Sequence, residues 1–362
     1  MKILIWGVSN TFGGVESFIY NSIIALKKAD TDICIDCIGY YQPIVKELIE
    51  NYKGNFFDID NLNSEQINKF FCDNGSKYDI LWYNCVDLSH IEILKYAKKN
   101  KMKKIIIHSH SSSIIVEGSI RKKYHYIRHC YHRKFVERYG TDYWACSDIA
   151  AKWLFPSKIY SRVKYIPNAI NAEQFRFNEE KRKKIRKSMK WNNDIIVAQI
   201  GRISREKDPY FAIDVFKELK KLKKKYRMIF IGDGELKGNV QDYAKNSEVI
   251  ESVDFLGKRS DVPELLQGID IVIMSSDFEG FPMVAVEAQA AGTEVFVPEE
   301  AVTKQVGIVD ACYFLKKSLG ARKWAEQIDK SDIIKKDNYE IMCTKGFDTS
   351  TAGIKLISMF SK

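Results

Sequence analysis

The sequence predicts an α/β protein of two doubly wound domains, each a parallel sheet covered by helices on both faces. Three observations carry this. The chain has 362 residues, too many for one ordinary core and suited to two. Short apolar runs alternate with amphipathic stretches from end to end, the pattern of repeated strand–helix units. The runs end in glycine-bearing turns, where such sheets place their ligand-facing loops. Hydrophobic residues make up 45% and charged residues 29%, which fits a globular chain and excludes a disordered one.

In the first half, the apolar runs 2–6, 33–39, 78–83, 104–108 and 143–146 read as strands, separated by amphipathic segments such as 15–28 and 89–100. The first strand runs into GVSNTFGGVES, where Gly13 and Gly14 permit close backbone approach and the helix that follows offers amides to a phosphate or a sugar. The loop lacks GxGxxG spacing, which disfavours a dinucleotide enzyme. The run KKIII leads into His108 and His110. An imidazole at the ligand-facing end of a sheet can donate to a sugar hydroxyl or stabilise developing charge, or it can simply cap the strand end. His110 is the first choice for contact and His108 the alternative, because the strand end is not fixed to within a residue or two.

Residues 120–138 place Ile120, Tyr124, Ile127, Tyr131 and Phe135 at helical spacing among Arg121, Lys122, Lys123, Arg128, Arg133, Lys134 and Arg138, with Glu137 the one acid. Such a helix suits an anionic membrane surface, each basic side chain contributing about 1 kcal/mol near the headgroups. The other reading packs the apolar stripe on the sheet. Nucleic acid is disfavoured because no nucleic-acid motif accompanies the helix. The run 163–168 ends in Ile-Pro-Asn, and the charged composition beyond it marks a boundary. The expected division is therefore a first domain over 1–168, a second over 169–345, and a final helix within 346–362 that returns to the first domain.

In the second half, 195–200 reads as a strand followed by Gly201-Arg202-Ile203-Ser204-Arg205-Glu206-Lys207-Asp208-Pro209. Arg202 and Lys207 can flank a diphosphate, one as a bidentate fork and one as a point charge. Strands at 228–231, 253–257 and 269–274 follow, with GDGE at 232–235 and Lys258-Arg259 after the second of them. The chain then reaches SSDFEGFPMVAVEAQAAG at 275–292. Pro282 suits the first position of a helix, and the helix it begins is apolar nearly all round, as a buried one is. Glu287 sits within it, where an ionised carboxyl needs a cation, a protein donor or a ligand's hydroxyls. Glu279 lies eight residues earlier, beside the helix's free amides.

Glu279-Gly280-Phe281-Pro282, Glu287 and Ala290-Ala291-Gly292 resemble the E-x7-E segment of retaining glycosyltransferases of the GT-B fold, family 4, of the capsular and exopolysaccharide type. GRxxxxKD at 201–208 resembles that family's donor-pyrophosphate motif, and Ala169 stands where the family usually has glycine after Pro-Asn. The resemblance implies two Rossmann-like domains facing across a cleft and transfer of a hexose or N-acetylhexosamine from a UDP-sugar to a lipid-linked glycan. It implies Glu279, His110, Arg202 and Lys207 as catalytic residues. It implies Gly13, Gly14, Arg202, Lys207, Glu279, Gly280, Phe281, Met283, Val284 and Glu287 as donor-binding residues. No metal and no cofactor are expected, and the DxD of Asp58 and Asp60 is expected to be surface acid. Two other classes stay open: a UDP-sugar epimerase of the same fold, and a non-enzymatic membrane-associated scaffold.

The formal charge is +10, concentrated in the first half, and points to an anionic partner there. The basic residues expected at a membrane or acceptor are Arg121, Lys122, Lys123, Arg128, Arg133 and Lys134. No apolar run approaches ~18 residues and no leader pattern is seen, so the expected location is cytoplasmic, at the inner membrane face. Of the eight cysteines, Cys34 and Cys37 form a CxxC without a second pair and fall on opposite faces of a strand, against a metal or redox role.

Overall fold

The computed structural model describes residues 1–60, 62–114, 118–191 and 193–361. Its contacts divide the chain into two units, Met1–Ile170 with Gly346–Lys362, and Asn171–Lys345. Among the described residues, the strands of the first unit are β1 Lys2–Trp6, β2 Cys34–Gly39, β3 Phe56–Asp58, β4 Ile80–Cys85, β5 Lys104–Ser109, β6 Asp142–Ala145 and β7 Val163–Tyr165. Those of the second are β8 Ile195–Ile200, β9 Tyr226–Ile231, β10 Val253–Phe255, β11 Ile271–Ile273, β12 Glu294–Pro298 and β13 Cys312–Leu315. Both sheets are parallel, in the orders β3-β2-β1-β4-β5-β6-β7 and β10-β9-β8-β11-β12-β13. Each order reverses direction once, between β1 and β4 and between β8 and β11, and in open α/β sheets ligands bind beyond the carboxyl ends at that reversal.

The strands are rich in Ile and Val because helices cover both faces, leaving no solvent side for polar alternation. β4 and β12 are buried along their whole lengths. Two short strands that periodicity does not mark, β3 and β13, add an edge to each sheet. Three or four residues carry too little pattern to be seen in sequence. The helix after 282 also differs from expectation. Pro282 is its N-cap, extended at φ −74 and ψ 108, and the helix runs Met283–Ala290. The proline carbonyl already accepts from Ala285 N–H at 3.2 Å, so the proline lies just outside the first turn.

The last helix, Thr349–Phe360, belongs to the first unit and packs along Gly14–Ala29. Gly353 makes this possible: a Cβ there would sit 2.0 Å from the Ala25 carbonyl oxygen, so the backbones approach as only glycine allows. Phe360 closes over Trp82 and Trp144, ring centroids 5.2 Å away in each case. Ala169 packs with Ala25 and Ala352 and is not among the positive-φ residues, so alanine in place of the usual glycine causes no backbone strain.

The helix Ser119–Arg133 turns its faces the opposite way from the sheet-packed alternative. Ile120 is 86% exposed and Tyr131 62%, and Tyr124 and Ile127 are more than half exposed. The inward face is polar. His129 Nδ1 accepts from Leu88 N–H at 3.1 Å, His132 Nδ1 bonds the Leu88 carbonyl at 2.6 Å, and Arg128 Nε donates to the Ser89 carbonyl at 2.7 Å. His129 also lies flat on Trp153, 4.2 Å away, and burial pushes its imidazole down to about 4, so it packs as a neutral ring.

Candidate functional site

In the second unit, the loop after β8 and the loop after β11 meet at the sheet reversal. Gln199 Nε2 donates to the Lys207 carbonyl at 2.8 Å and to Ser275 Oγ at 3.1 Å. Ser275 Oγ in turn donates to the carbonyls of Lys207 and Asp208, both at 2.8 Å, and Asp277 N–H reaches the Glu206 carbonyl at 2.9 Å. These bonds hold the two loops in register. Asp208, in the left-handed region at φ 42, caps the helix Pro209–Leu219 by accepting from Phe211 N–H, and Pro209 takes the first helical position. Lys317 ties the same corner, its Nζ lying 2.6 Å from Asp208 and 2.7 Å from Asp277.

The stitched loops bring Lys207 Nζ onto Glu279 Oε1 in an ion pair, and Ser276 Oγ donates to the same carboxylate oxygen at 2.8 Å. The expected cation and acid therefore do converge. Arg202 lies on the same loop with its side chain exposed. Phe281 and Met283 are buried, and Gly280 and Val284 are half-buried. Met283 and Val284 open the helix, where amides precede the internal hydrogen-bond ladder. Glu287 lies one turn further on, half-buried, and among the described residues no side chain or backbone group donates to its carboxyl. Burial alone pushes its carboxyl up to about 7.

In the first unit, β5 ends at Ser109, which separates the two candidate imidazoles. His108 is inside the strand and fully buried, stacked on Trp82 and accepting from Trp82 Nε1 at 3.3 Å. It cannot reach a ligand. His110 is the first residue past the strand, half-buried, with Nε2 2.9 Å from Asn84 Oδ1. Gly13 and Gly14 are exposed, but the expected anion site at the helix Gly14–Ala29 is already occupied by a side chain. Glu16 accepts from Gly13 N–H at 2.9 Å, and from both the N–H and the hydroxyl of Ser9 at 2.9 and 2.6 Å. A phosphate there would meet a buried carboxylate, so the loop suits hydroxyls better than phosphate.

Of the six expected basic residues on the long helix, Arg121, Lys122, Lys123 and Lys134 are exposed. Arg128 and Arg133 are instead turned inward. Arg128 bonds Ser89 and Glu92, and Arg133 Nη2 donates to the carbonyls of Lys152 and Phe155 at 2.9 and 2.6 Å. Asp58 and Asp60 are exposed, Asp58 accepting from Asp60 N–H at 2.9 Å. Cys34 is exposed and Cys37 buried, and every cysteine is free. Among the described residues, no cluster of His, Cys, Asp or Glu is placed to hold a metal ion, and no helix is long and apolar enough to cross a membrane. Glu16 and Asn84 in the first unit, and Gln199, Ser275 and Lys317 in the second, are structural partners of the candidate residues that sequence reasoning missed. Each acts through a contact 7 to 109 residues away in the chain, beyond any local pattern.

The profile of the Glycosyl transferases group 1 family matches residues 180–330. The chain is 28% identical over 205 residues to the putative glycosyltransferase EpsF of Bacillus subtilis, covering 55% of this chain and 53% of EpsF. It is 24% identical over 238 residues to the UDP-Gal:alpha-D-GlcNAc-diphosphoundecaprenol alpha-1,3-galactosyltransferase of Escherichia coli, covering 58% of this chain and 61% of that protein. The match thus spans little more than half the length of these curated relatives. The crystal structure of Anabaena HepE in complex with UDP superposes with a TM-score of 0.78 at 17% identity, covering all of both chains. The fold is GT-B, as the sequence predicts.

Proposed function

Residues 180–330 carry a glycosyl transferases group 1 domain, and from that premise we propose that the protein is a retaining glycosyltransferase of surface-polysaccharide synthesis, moving a hexose or N-acetylhexosamine from a UDP-sugar to a lipid-linked glycan. The observation that carries this reading is the junction of the β8 and β11 loops, where Lys207 meets Glu279 eight residues before Glu287, whose carboxyl has no hydrogen-bond donor among the described residues. The UDP bound to HepE and the GlcNAc-diphosphoundecaprenol in the E. coli relative's name support it.

In this mechanism the bond between the anomeric carbon and the diphosphate breaks with its electron pair left on the phosphate oxygen, while an acceptor hydroxyl oxygen bonds to that carbon on the same face and gives its proton to the departing oxygen. Lys207 exchanges its carboxylate partner for phosphate, Arg202 swings from solvent onto the same group, and the amides at the start of the helix Met283–Ala290 face the developing charge. Together these positive charges take the place of a metal ion. Glu279, released from Lys207, faces the sugar. Glu287 accepts from the ribose hydroxyls, and His110 contacts the sugar.

Glu287 gives a direct test. In the folded chain its carboxyl holds a proton up to about pH 7, against the ordinary 4.5. Folding is therefore assisted below pH 4.5, and that assistance is lost as pH rises through 7. Glu287→Gln is expected to raise the melting temperature of the unliganded protein at pH 8 by about 2–4 °C. The same change is expected to abolish the stabilisation by UDP, which for the wild type reaches about 2.7 kcal/mol at a hundredfold excess over Kd. A UDP shift that survives the substitution sinks the ribose assignment, and a wild type indifferent to every UDP-sugar sinks the function. Transfer to an added acceptor, with no epimer formed in its absence, separates this reading from an epimerase.

The exposed stripe on the helix Ser119–Arg133, with Arg121, Lys122, Lys123 and Lys134 beside it, is proposed to seat the first unit on an anionic membrane at the cytoplasmic face. Sedimentation with phosphatidylglycerol vesicles checks this. Ile127→Asp with Tyr131→Asp is expected to weaken binding about tenfold or more, since burying one large apolar side chain contributes about 1.5–3 kcal/mol. Equal sedimentation of variant and wild type would remove the membrane from the proposal.

A further inference from the structure

The carboxyl end of the first unit's sheet contains a hydrogen-bond relay that decides which ring nitrogen of His110 carries its proton. Asn84, on β4, pairs in register with His108 on β5 and is 1% exposed. Its Nδ2 donates to the Trp6 carbonyl at 3.0 Å and to the Trp82 carbonyl at 3.2 Å. Both N–H groups of the amide are thereby used, and the reversed amide would press its oxygen against two carbonyls, so the orientation is fixed. The residue cannot slide away either. Gly7 lies against it at φ +124, where an added Cβ would stand 2.5 Å from the Asn84 carbonyl oxygen and 2.7 Å from its Cβ.

Asn84 Oδ1 can only accept, and it lies 2.9 Å from His110 Nε2. His110 must therefore hold its proton on Nε2 and present a bare lone pair at Nδ1, which nothing among the described residues bonds. Among the described residues no cation touches the ring. Its neighbours are Phe18, with ring centroids 4.6 Å apart, and His108 at 4.1 Å. His108 is itself neutral, since Trp82 donates to its Nδ1 and burial holds it well below the usual range. Burial also lowers His110 to about 3, so the ring does not gain a second proton near neutrality.

We propose that Asn84 is a positioning residue that locks His110 as the Nε2–H tautomer, so that Nδ1 accepts a hydrogen bond from a sugar hydroxyl and rejects a carboxylate, making the donor a neutral sugar rather than a uronate. This rests on the glycosyl-transfer reading and names the residues that would enforce its choice of a neutral sugar. A hydroxyl supplies the proton that Nδ1 lacks, whereas a carboxylate sets a second lone pair and a negative charge against it.

The test has two independent parts. Nitrogen NMR of protein labelled with 15N-histidine, with His110 assigned from His110→Asn, is expected to show a bare Nδ1 and a protonated Nε2, unchanged between pH 5 and 8. A protonated Nδ1 in the wild type overturns the lock whatever the protein's activity. With donors, kcat/KM for a UDP-hexose is expected to exceed that for the matching UDP-uronate at least tenfold. In Asn84→Ala an Nδ1–H population should appear and that ratio should fall at least fivefold, while a purely structural role would lower both donors alike. Equal use of the two donors by the wild type, or a parallel loss in the variant, overturns the specificity claim. If no nucleotide sugar binds or reacts, the glycosyl-transfer reading fails and the neutral-donor claim falls with it, while the wild-type nitrogen spectrum still decides the lock.

Discussion

Lys207→Ala is expected to lower kcat/KM for the nucleotide sugar about 10³-fold, with secondary structure unchanged. The size follows from position. Lys207 is half-buried, and the Gln199 and Ser275 bonds that pin its carbonyl fix where its ammonium can go. Removing one preorganised group that faces developing charge costs a factor of about 10² to 10³. Here the loss is compounded, because Glu279 would be left without its cation and would stand as a like charge beside the departing diphosphate. Lys207→Arg should recover part of the rate, since the charge returns on a different geometry. Initial rates of UDP release, with calorimetric binding of UDP as the second reading, decide the matter. An alanine variant within tenfold of wild type would mean that the diphosphate does not lie on this loop.

Asp270→Ala is expected to destabilise the second unit by about 3–5 kcal/mol, lowering its melting temperature by roughly 10 °C. Asp270 is buried and accepts from Arg182 Nη2 at 2.5 Å, from Arg186 Nη1 at 3.0 Å and from the Ile196 amide at 2.8 Å. The two arginines come from the helix Glu179–Ser188, which looks like a solvated charge run in sequence and buries none of its residues fully. Without the carboxylate, Arg182 keeps carbonyl partners at Gln267 and Gly268, and Arg186 keeps those at Gly268, Trp191 and Asp194, but both lose the charge they share. Nearby Lys335, whose amine burial already lowers well below its usual range, would lose a compensating negative charge as well. Calorimetry of the whole chain measures the effect, and a change under 1 kcal/mol would show that the arginines relax to solvent.

Strands of five or six residues were readable in the sequence, and β1 and β8 fall on the expected residues, because a parallel sheet leaves an unbroken apolar run. The Lys207 and Glu279 segments were readable for a related reason: each sits directly after such a run, so locating the strand locates the loop. Choosing between His108 and His110 was beyond the pattern, since one residue of strand length decides which ring is buried. The helix Ser119–Arg133 shows the limit most clearly. Its aromatic stripe fits packing inward or facing out, and the choice is made by His129, His132 and Arg128 finding the backbone of residues 88–89, partners about forty positions away. Glu16 is similar: a carboxylate three residues past Gly13 fills the amide site that the glycines advertise.

The pairing of Ile170 with Asp348, through Ile170 N–H to the Phe347 carbonyl and Thr349 N–H to the Ile170 carbonyl, each at 2.9 Å, brings the two borders of the second unit together. The second unit is thus an insertion within the first, and it can reach its native form during synthesis while the first still lacks its closing helix. Until residues 349–360 leave the ribosome, the indole rings of Trp82 and Trp144 have no cover from Phe360. Maturation of the amino-terminal half therefore waits for synthesis of residues 349–360, and a chain that lacks Phe360 leaves an open aromatic core.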